Sequence, residues 1–160
     1  MKTAVYAGSF DPITRGHEDL IRRCLSFVDR LVVAVATNVA KQPLFTVEQR
    51  LEFIRAGIGS DARVDVREFE GLLVDFARTV GATVSIRGLR AVSDFEYEYQ
   101  MALMNRHLNG ELETLFMVPS IDLTYVSSSL VREVARFGGR TSDLVNPAVE
   151  RALRERFGHP

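Results

Sequence analysis

Residues 31–36, Leu31-Val32-Val33-Ala34-Val35-Ala36, are apolar at every position. A strand with one wet face alternates apolar and polar residues, so an unbroken apolar run predicts a strand covered on both faces, inside a parallel sheet. Outward from it, β-rich runs recur at residues 3–7, 63–69, 83–87 and 114–118, and the central run extends to Thr37. The stretches between them repeat at helical period instead. Leu20, Ile21, Cys24, Leu25 and Val28 form one stripe, and Val47, Leu51, Ile54 and Ile58 a second. Leu72, Leu73, Phe76, Ala77 and Val80 form a third, ended by Gly81. A fourth helix is predicted over about residues 94–108, with Gly110 as its C-cap. A fifth opens at Ser127-Ser128-Ser129 and stops at Gly138-Gly139, and the last runs from Asn146-Pro147 to near Phe157. Thr46 and Gln49 read as a capping box for the second helix. Strands interleaved with helices predict an α/β chain of one domain with a five-stranded parallel sheet.

Composition narrows the function classes. The chain has 160 residues, 46% hydrophobic and 26% charged, with 20 Lys and Arg against 21 Asp and Glu. A net charge of −1 argues against duplex nucleic acid or an anionic membrane as the main partner, since both demand a large positive surface. A small anion needs only a few placed cations. The single Cys24 reads as a small buried hydrophobe. With no signal-peptide pattern and no apolar run approaching about 18 residues, a cytoplasmic protein is expected.

In an open parallel sheet, ligands bind where the chain leaves the carboxyl ends of the strands. The unusual residues of this chain fall there. Gly8-Ser9-Phe10-Asp11-Pro12-Ile13-Thr14-Arg15-Gly16-His17 leaves the first strand and opens a helix. Gly8 is expected to turn the chain and Gly16 to permit close backbone approach, while the helix start offers N–H groups and a positive dipole end to a phosphate. His17 either donates a ring N–H to that phosphate or simply packs beside Leu20 and Ile21. Lys41 is one of two lysines against eighteen arginines, and a compact ammonium suits a phosphate. Arg87 and Arg90 flank a strand exit, where each serves an anionic ligand or an ion pair with Asp94, Glu96 or Glu98. Ser127, Ser128 and Ser129 at a second helix start can cap the helix or wrap a polyphosphate. Together these features imply a nucleoside triphosphate held between two helix starts and several cations.

Three motifs carry a resemblance. Thr14-x-Gly16-His17 after Gly8-Ser9-Phe10-Asp11-Pro12 resembles the (H/T)xGH signature of the nucleotidyltransferase superfamily, and Val126-Ser127-Ser128-Ser129-x-x-Arg132 resembles its ISSSxxR signature. Arg87-Gly88-Leu89-Arg90 with Asp94-Phe95-Glu96-Tyr97-Glu98 is narrower, and is similar to a segment of the bacterial phosphopantetheine adenylyltransferase family. Met104-Asn105-Arg106-His107-Leu108 continues the similarity. The resemblance implies a Rossmann-like doubly wound sheet, a homohexamer, and reversible transfer of adenylyl from ATP to 4′-phosphopantetheine, giving dephospho-coenzyme A and pyrophosphate. It implies Mg²⁺ carried with ATP rather than a protein metal site, with coenzyme A as a candidate feedback inhibitor. By the same resemblance, Ser9, Phe10, His17, Gly88, Leu89, Arg90 and Glu98 contact ATP, as do Leu123, Thr124, Tyr125, Val126, Ser127, Ser128 and Ser129. Ser9, Lys41, Leu73 and Arg87 would hold phosphopantetheine, and His17, Lys41, Arg87 and Arg90 would carry catalysis. Rival readings are an adenylyltransferase for nicotinamide mononucleotide, or a nucleotide-binding module without turnover.

Overall fold

The computed structural model describes residues 1–37 and 42–160. Its strands are β1 (Thr3–Gly8), β2 (Arg30–Ala36), β3 (Val64–Phe69), β4 (Val84–Gly88) and β5 (Glu113–Met117). They form one sheet in the order β3-β2-β1-β4-β5, every pair parallel. The chain therefore builds outward from β1 in one direction and then returns to build from β1 in the other, as a doubly wound sheet does. Connecting the strands are α1 (Arg15–Cys24), α2 (Val47–Ile58), α3 (Leu73–Val80) and α4 (Val92–Leu108), followed after β5 by a 3₁₀ turn at Ile121–Leu123, α5 (Ser128–Arg136) and α6 (Pro147–Phe157).

Two apolar layers cover the sheet. Ala4, Tyr6, Leu31, Val33 and Val35 point into the larger, with Leu20, Ile21, Ile54, Val131 and Leu153 from α1, α2, α5 and α6. Val5, Ala7, Val32 and Ala34 point to the other face, against Val74, Ala77 and Val80 of α3. The period of two along β1 and β2 thus divides one apolar run between two cores, each buried Val or Leu contributing about 1.5–3 kcal/mol. Cys24 is buried in the larger core, where burial pushes its thiol up to about 12. Among the described residues, no helix is long and apolar enough to cross a membrane.

A buried polar latch joins three helices. Glu18 is fully buried, and its Oε2 accepts from Arg15 Nη1 at 2.8 Å and Arg22 Nη2 at 3.4 Å. Its Oε1 accepts from Asn146 Nδ2 at 3.0 Å. Asn146 also donates to the Phe53 carbonyl, and its Oδ1 caps α6 by accepting the Val149 N–H. Gly57 of α2 lies against this latch: an added Cβ would sit 2.2 Å from Glu18 Oε1 and 2.8 Å from Asn146 Nδ2. Alanine is the better helix former by about 1 kcal/mol. Even so, Gly57→Ala is expected to lower stability by about 1–3 kcal/mol, because neither latch atom can retreat without losing its partners. Urea unfolding checks this; a stabilised variant would refute it.

Three local expectations need correction. α4 ends at Asn109, not at a left-handed Gly110: the buried Asn109 has φ −147 and its Oδ1 accepts the Glu111 N–H, so the side chain closes the turn. Val28 packs in the core, but α1 has already ended at Cys24. The left-handed residue after β1 is Phe10, φ 45, while a Cβ on Gly8 would meet the Phe10 ring at 3.2 Å. Gly8 therefore makes room for that ring rather than making the turn. A Cβ at Gly16 would lie 3.6 Å from the Leu123 carbonyl oxygen, ordinary contact, so packing within the chain does not demand glycine there. The Thr46–Gln49 capping box and the Gly81 cap stand as read.

Candidate active site

Strand order reverses between β1 and β4, and a crevice opens at their carboxyl ends. It holds two cavities. The first, about 340 Å³, lies on the α1 and α5 side and is walled by Phe10, His17, Arg90 and the Ser127–Ser129 turn. The second, about 410 Å³, lies on the α3 and α4 side and is more apolar, with Phe69, Leu73 and Met101 in its wall. Ala7, Gly8, Ser9, Arg87 and Glu98 belong to both. One strand exit is therefore the partition between a polar chamber and an apolar one.

The loop forming that partition is fixed through its carbonyls. Arg50, only 3% exposed, donates through Nη1 to the Ser9 carbonyl at 2.8 Å. Arg132 Nη1 donates to the Asp11 carbonyl, and Ser128 Oγ to that of Pro12 at 2.8 Å. The Asp11 carboxylate accepts the N–H groups of Leu44 and Phe45. Among the described residues the Arg50 guanidinium donates only to carbonyls. A fixed cation behind the loop favours an anion in front of it.

His17 sits at the third position of α1 and completes an unusual capping box. Its Nδ1 accepts the Thr14 backbone N–H at 3.0 Å, while Thr14 Oγ1 accepts the His17 N–H. A backbone N–H can only donate, so Nδ1 must offer its lone pair, and the neutral ring carries its proton on Nε2. Burial, then the cations Arg90 and Arg87, lower the His17 pKa to about 4. The geometry therefore makes His17 a neutral Nε2–H donor. Because the folded value lies below the ordinary 6.5, the unfolded chain takes up a proton first as pH falls. The stabilisation from neutral His17 is complete above about pH 6.5 and disappears as pH falls toward 4. Melting temperature followed over that window should fall in the parent by more than in His17→Gln, and parallel curves would refute the assignment.

Arg87 grips Glu98 with both arms, Nε to Oε2 at 2.8 Å and Nη2 to Oε1 at 2.6 Å, and donates through Nη1 to the Ala7 carbonyl at 2.7 Å. Burial works against its cation, but the Glu98 bonds outweigh it and raise its pKa. Arg90 lies 3.5 Å from Asp94 and reaches the Val126 carbonyl at 3.4 Å. So the ion-pair alternative holds for Arg87, which also lines both cavities.

The serines divide their work. Ser127 Oγ accepts the Leu130 N–H as the α5 cap, Ser128 Oγ holds Pro12, and Ser129 Oγ accepts from Arg132 Nη2 at 3.2 Å. What remains for an anion is the backbone N–H groups of the first helical turn, which have no intrahelical partner. Gly88, Leu123 and Val126 also line the polar chamber. Leu89, Thr124 and Tyr125 stand outside both walls: Leu89 N–H extends the sheet to Met117, Thr124 Oγ1 closes the 3₁₀ turn on Ile121, and Tyr125 is exposed. Lys41 lies outside the described residues. Sequence reasoning gave no role to Arg50, Arg132, Thr14 or Tyr6, although the three-residue step from Ser129 to Arg132 was a visible signal for one of them.

The geometry has relatives. The cytidylyltransferase-like family model matches residues 5–134. A protein of Anaeromyxobacter dehalogenans named phosphopantetheine adenylyltransferase is 53% identical over 159 residues, covering 99% of this chain and 97% of its own. One so named from Heliobacterium modesticaldum is 51% identical over 158 residues, with 99% and 94% covered. A Vibrio parahaemolyticus crystal structure, assigned as a nicotinate-nucleotide adenylyltransferase, superposes with a TM-score of 0.68 over 98% of this chain and 95% of that one. At 17% identity it speaks for the Rossmann-like fold alone.

Proposed function

The chain belongs to the phosphopantetheine adenylyltransferases of the cytidylyltransferase-like family, and from that premise we propose that its two cavities hold the two substrates of one transfer. It is a nucleotidyltransferase that converts ATP and 4′-phosphopantetheine to dephospho-coenzyme A and pyrophosphate, in coenzyme A biosynthesis. The observation that supports the assignment of chambers is the shared partition of Gly8, Ser9, Arg87 and Glu98, with a polar chamber on one side and an apolar one on the other. ATP occupies the polar chamber, its phosphates toward the α1 and α5 starts. The pantetheine arm lies along Leu73 and Met101, with its phosphate at the partition.

A phosphate oxygen of phosphopantetheine then attacks the α-phosphorus in line, and the bond to the bridging oxygen of the departing pyrophosphate breaks. No side-chain nucleophile is required, so the chain's contribution is alignment and charge stabilisation. His17 donates its Nε2–H to the α-phosphate. Arg87 and Lys41 aim the attacking phosphate, while Arg90 and the N–H groups at Ser127–Ser129 hold the leaving pyrophosphate. Ser9, Phe10, Gly88, Glu98, Leu123 and Val126 shape the nucleotide chamber. Leu89, Thr124 and Tyr125 keep a nucleotide role only as flanking backbone. The cavity carboxylates Asp94 and Glu98 are each engaged by an arginine, so this donor set is no cage for a divalent ion. Mg²⁺ would accordingly arrive with ATP.

The same reading extends to assembly and regulation. α4 buries none of its side chains, and Phe95, Tyr97, Tyr99, Met101, Leu103 and Met104 stand exposed along it. That face suits contact with further copies, in support of a homohexamer. Coenzyme A contains both halves of the product and would compete for both chambers as a feedback inhibitor, in the cytoplasm. The test of function is pyrophosphate release from ATP and Mg²⁺ with phosphopantetheine and, separately, nicotinamide mononucleotide. Release with phosphopantetheine alone is expected; release with the mononucleotide alone would overturn the substrate.

A further inference from the structure

Tyr6 lies at the floor of the polar chamber and is 4% exposed. Its ring meets the edge of Phe10 with centroids 5.3 Å apart, and the His17 ring is 6.3 Å away. Buried tyrosine hydroxyls ordinarily find a hydrogen-bond partner. This one makes no hydrogen bond with any described residue, yet it is not sealed in the core, because Tyr6 lines the cavity. Its immediate neighbour is Gly88, whose Cβ position is 3.8 Å from the hydroxyl oxygen. A Cβ added at residue 88 would collide first with Leu20 Cδ1, at 2.8 Å. The nearby Glu98 carboxylate is held by Arg87 through both oxygens and makes no bond to the hydroxyl.

The chemistry of the hydroxyl is equally restricted. Burial pushes its ionisation upward, against the opposing pull of Arg87, so the group remains a neutral O–H. Around it stand the cations Arg87 and Arg90 and the neutral donor His17. A donor without an acceptor, in a chamber of cations, is completed by an anion. We propose that the Tyr6 hydroxyl donates a hydrogen bond to a phosphate oxygen of bound ATP, beside the His17 Nε2–H, and is a further catalytic residue of the transfer. This rests on the nucleotide reading of the polar chamber.

Tyr6→Phe tests it, because the ring that packs on Phe10 is kept and only the hydroxyl is removed. The expected result is a fall of about 10–100-fold in kcat/KM for ATP, the loss of one donor to a charged acceptor. Without ligand, the melting temperature should stay level or rise, since no bond within the protein is lost. The rise in melting temperature produced by saturating ATP should shrink. A hydroxyl with a structural role gives the opposite pattern: a lower melting temperature without ligand and unaltered kinetics. That result, or kinetics within twofold of the parent, overturns the proposal. Failure of the function reading is separate, because the parent would then release no pyrophosphate with phosphopantetheine. The ATP-induced shift in the parent and in Tyr6→Phe would still decide the role of the hydroxyl.

Discussion

His17→Ala is expected to lower kcat by about 10²–10³-fold, the usual effect of deleting one preorganised donor at a developing charge. KM for ATP should move only a few-fold, because the arginines and two helix starts still bind the polyphosphate. The donor is effective because nothing must rearrange before it acts: the Thr14 N–H fixes the ring through Nδ1, and the lowered pKa keeps it neutral. The substitution also removes the Thr14 cap partner, which costs about 1 kcal/mol. His17→Gln separates the two roles. Its amide oxygen can accept the Thr14 N–H as the third residue of an ordinary capping box, so melting temperature should recover while kcat stays low. Steady-state pyrophosphate release and thermal melts on both variants decide it, and near-parental turnover in His17→Ala would remove His17 from the mechanism.

The second large effect is expected at Arg87. Arg87→Met removes the fork from Glu98 and the bond to the Ala7 carbonyl, leaving a largely buried carboxylate without its cation. Stability should fall by about 2–3 kcal/mol, less than for a fully buried pair because Arg87 is partly solvated. Turnover should fall by about 10²–10³-fold, since the same guanidinium aims the attacking phosphate. Adding Glu98→Gln to Arg87→Met relieves the stranded charge. If Arg87 touches substrate, the double variant regains much of its melting temperature and almost none of its kcat/KM for phosphopantetheine. Recovery of both would make Arg87 only the holder of Glu98.

Much of the fold was legible because it follows from local periodicity. The unbroken run at residues 31–36 is buried along its length, and Ser127 and Asn146 cap the helices that they precede. From the motifs, Gly8, Ser9, Phe10, His17, Arg87, Arg90 and the Ser127–Ser129 turn likewise gather in one crevice, while Leu89 stands outside it. What spacing could not carry was pairing across the chain. Arg132 meets the carbonyl of Asp11 and Arg50 that of Ser9, 121 and 41 residues away, and a carbonyl has no signature in sequence. Arg87 illustrates the same limit in milder form. Its partner Glu98 was among the candidates, but only the folded geometry shows one arginine serving an ion pair and two cavities together. The Phe10 turn was missed for another reason: the turn was expected at the nearby Gly8, whose real contribution is space for an aromatic ring.

The arginines that grip carbonyls have a consequence beyond catalysis. Arg50 and Arg132 fix the loop after β1 by donating to the carbonyls of Ser9 and Asp11, and Arg132 lines the polar chamber together with Arg87 and Arg90. A polyphosphate held in that chamber at about a hundred times its Kd would add about 2.7 kcal/mol of stability by mass action alone. The lifetime of the folded protein is therefore tied to nucleotide supply: a starved cell, poor in ATP, would hold this chain in the state most open to unfolding and proteolysis.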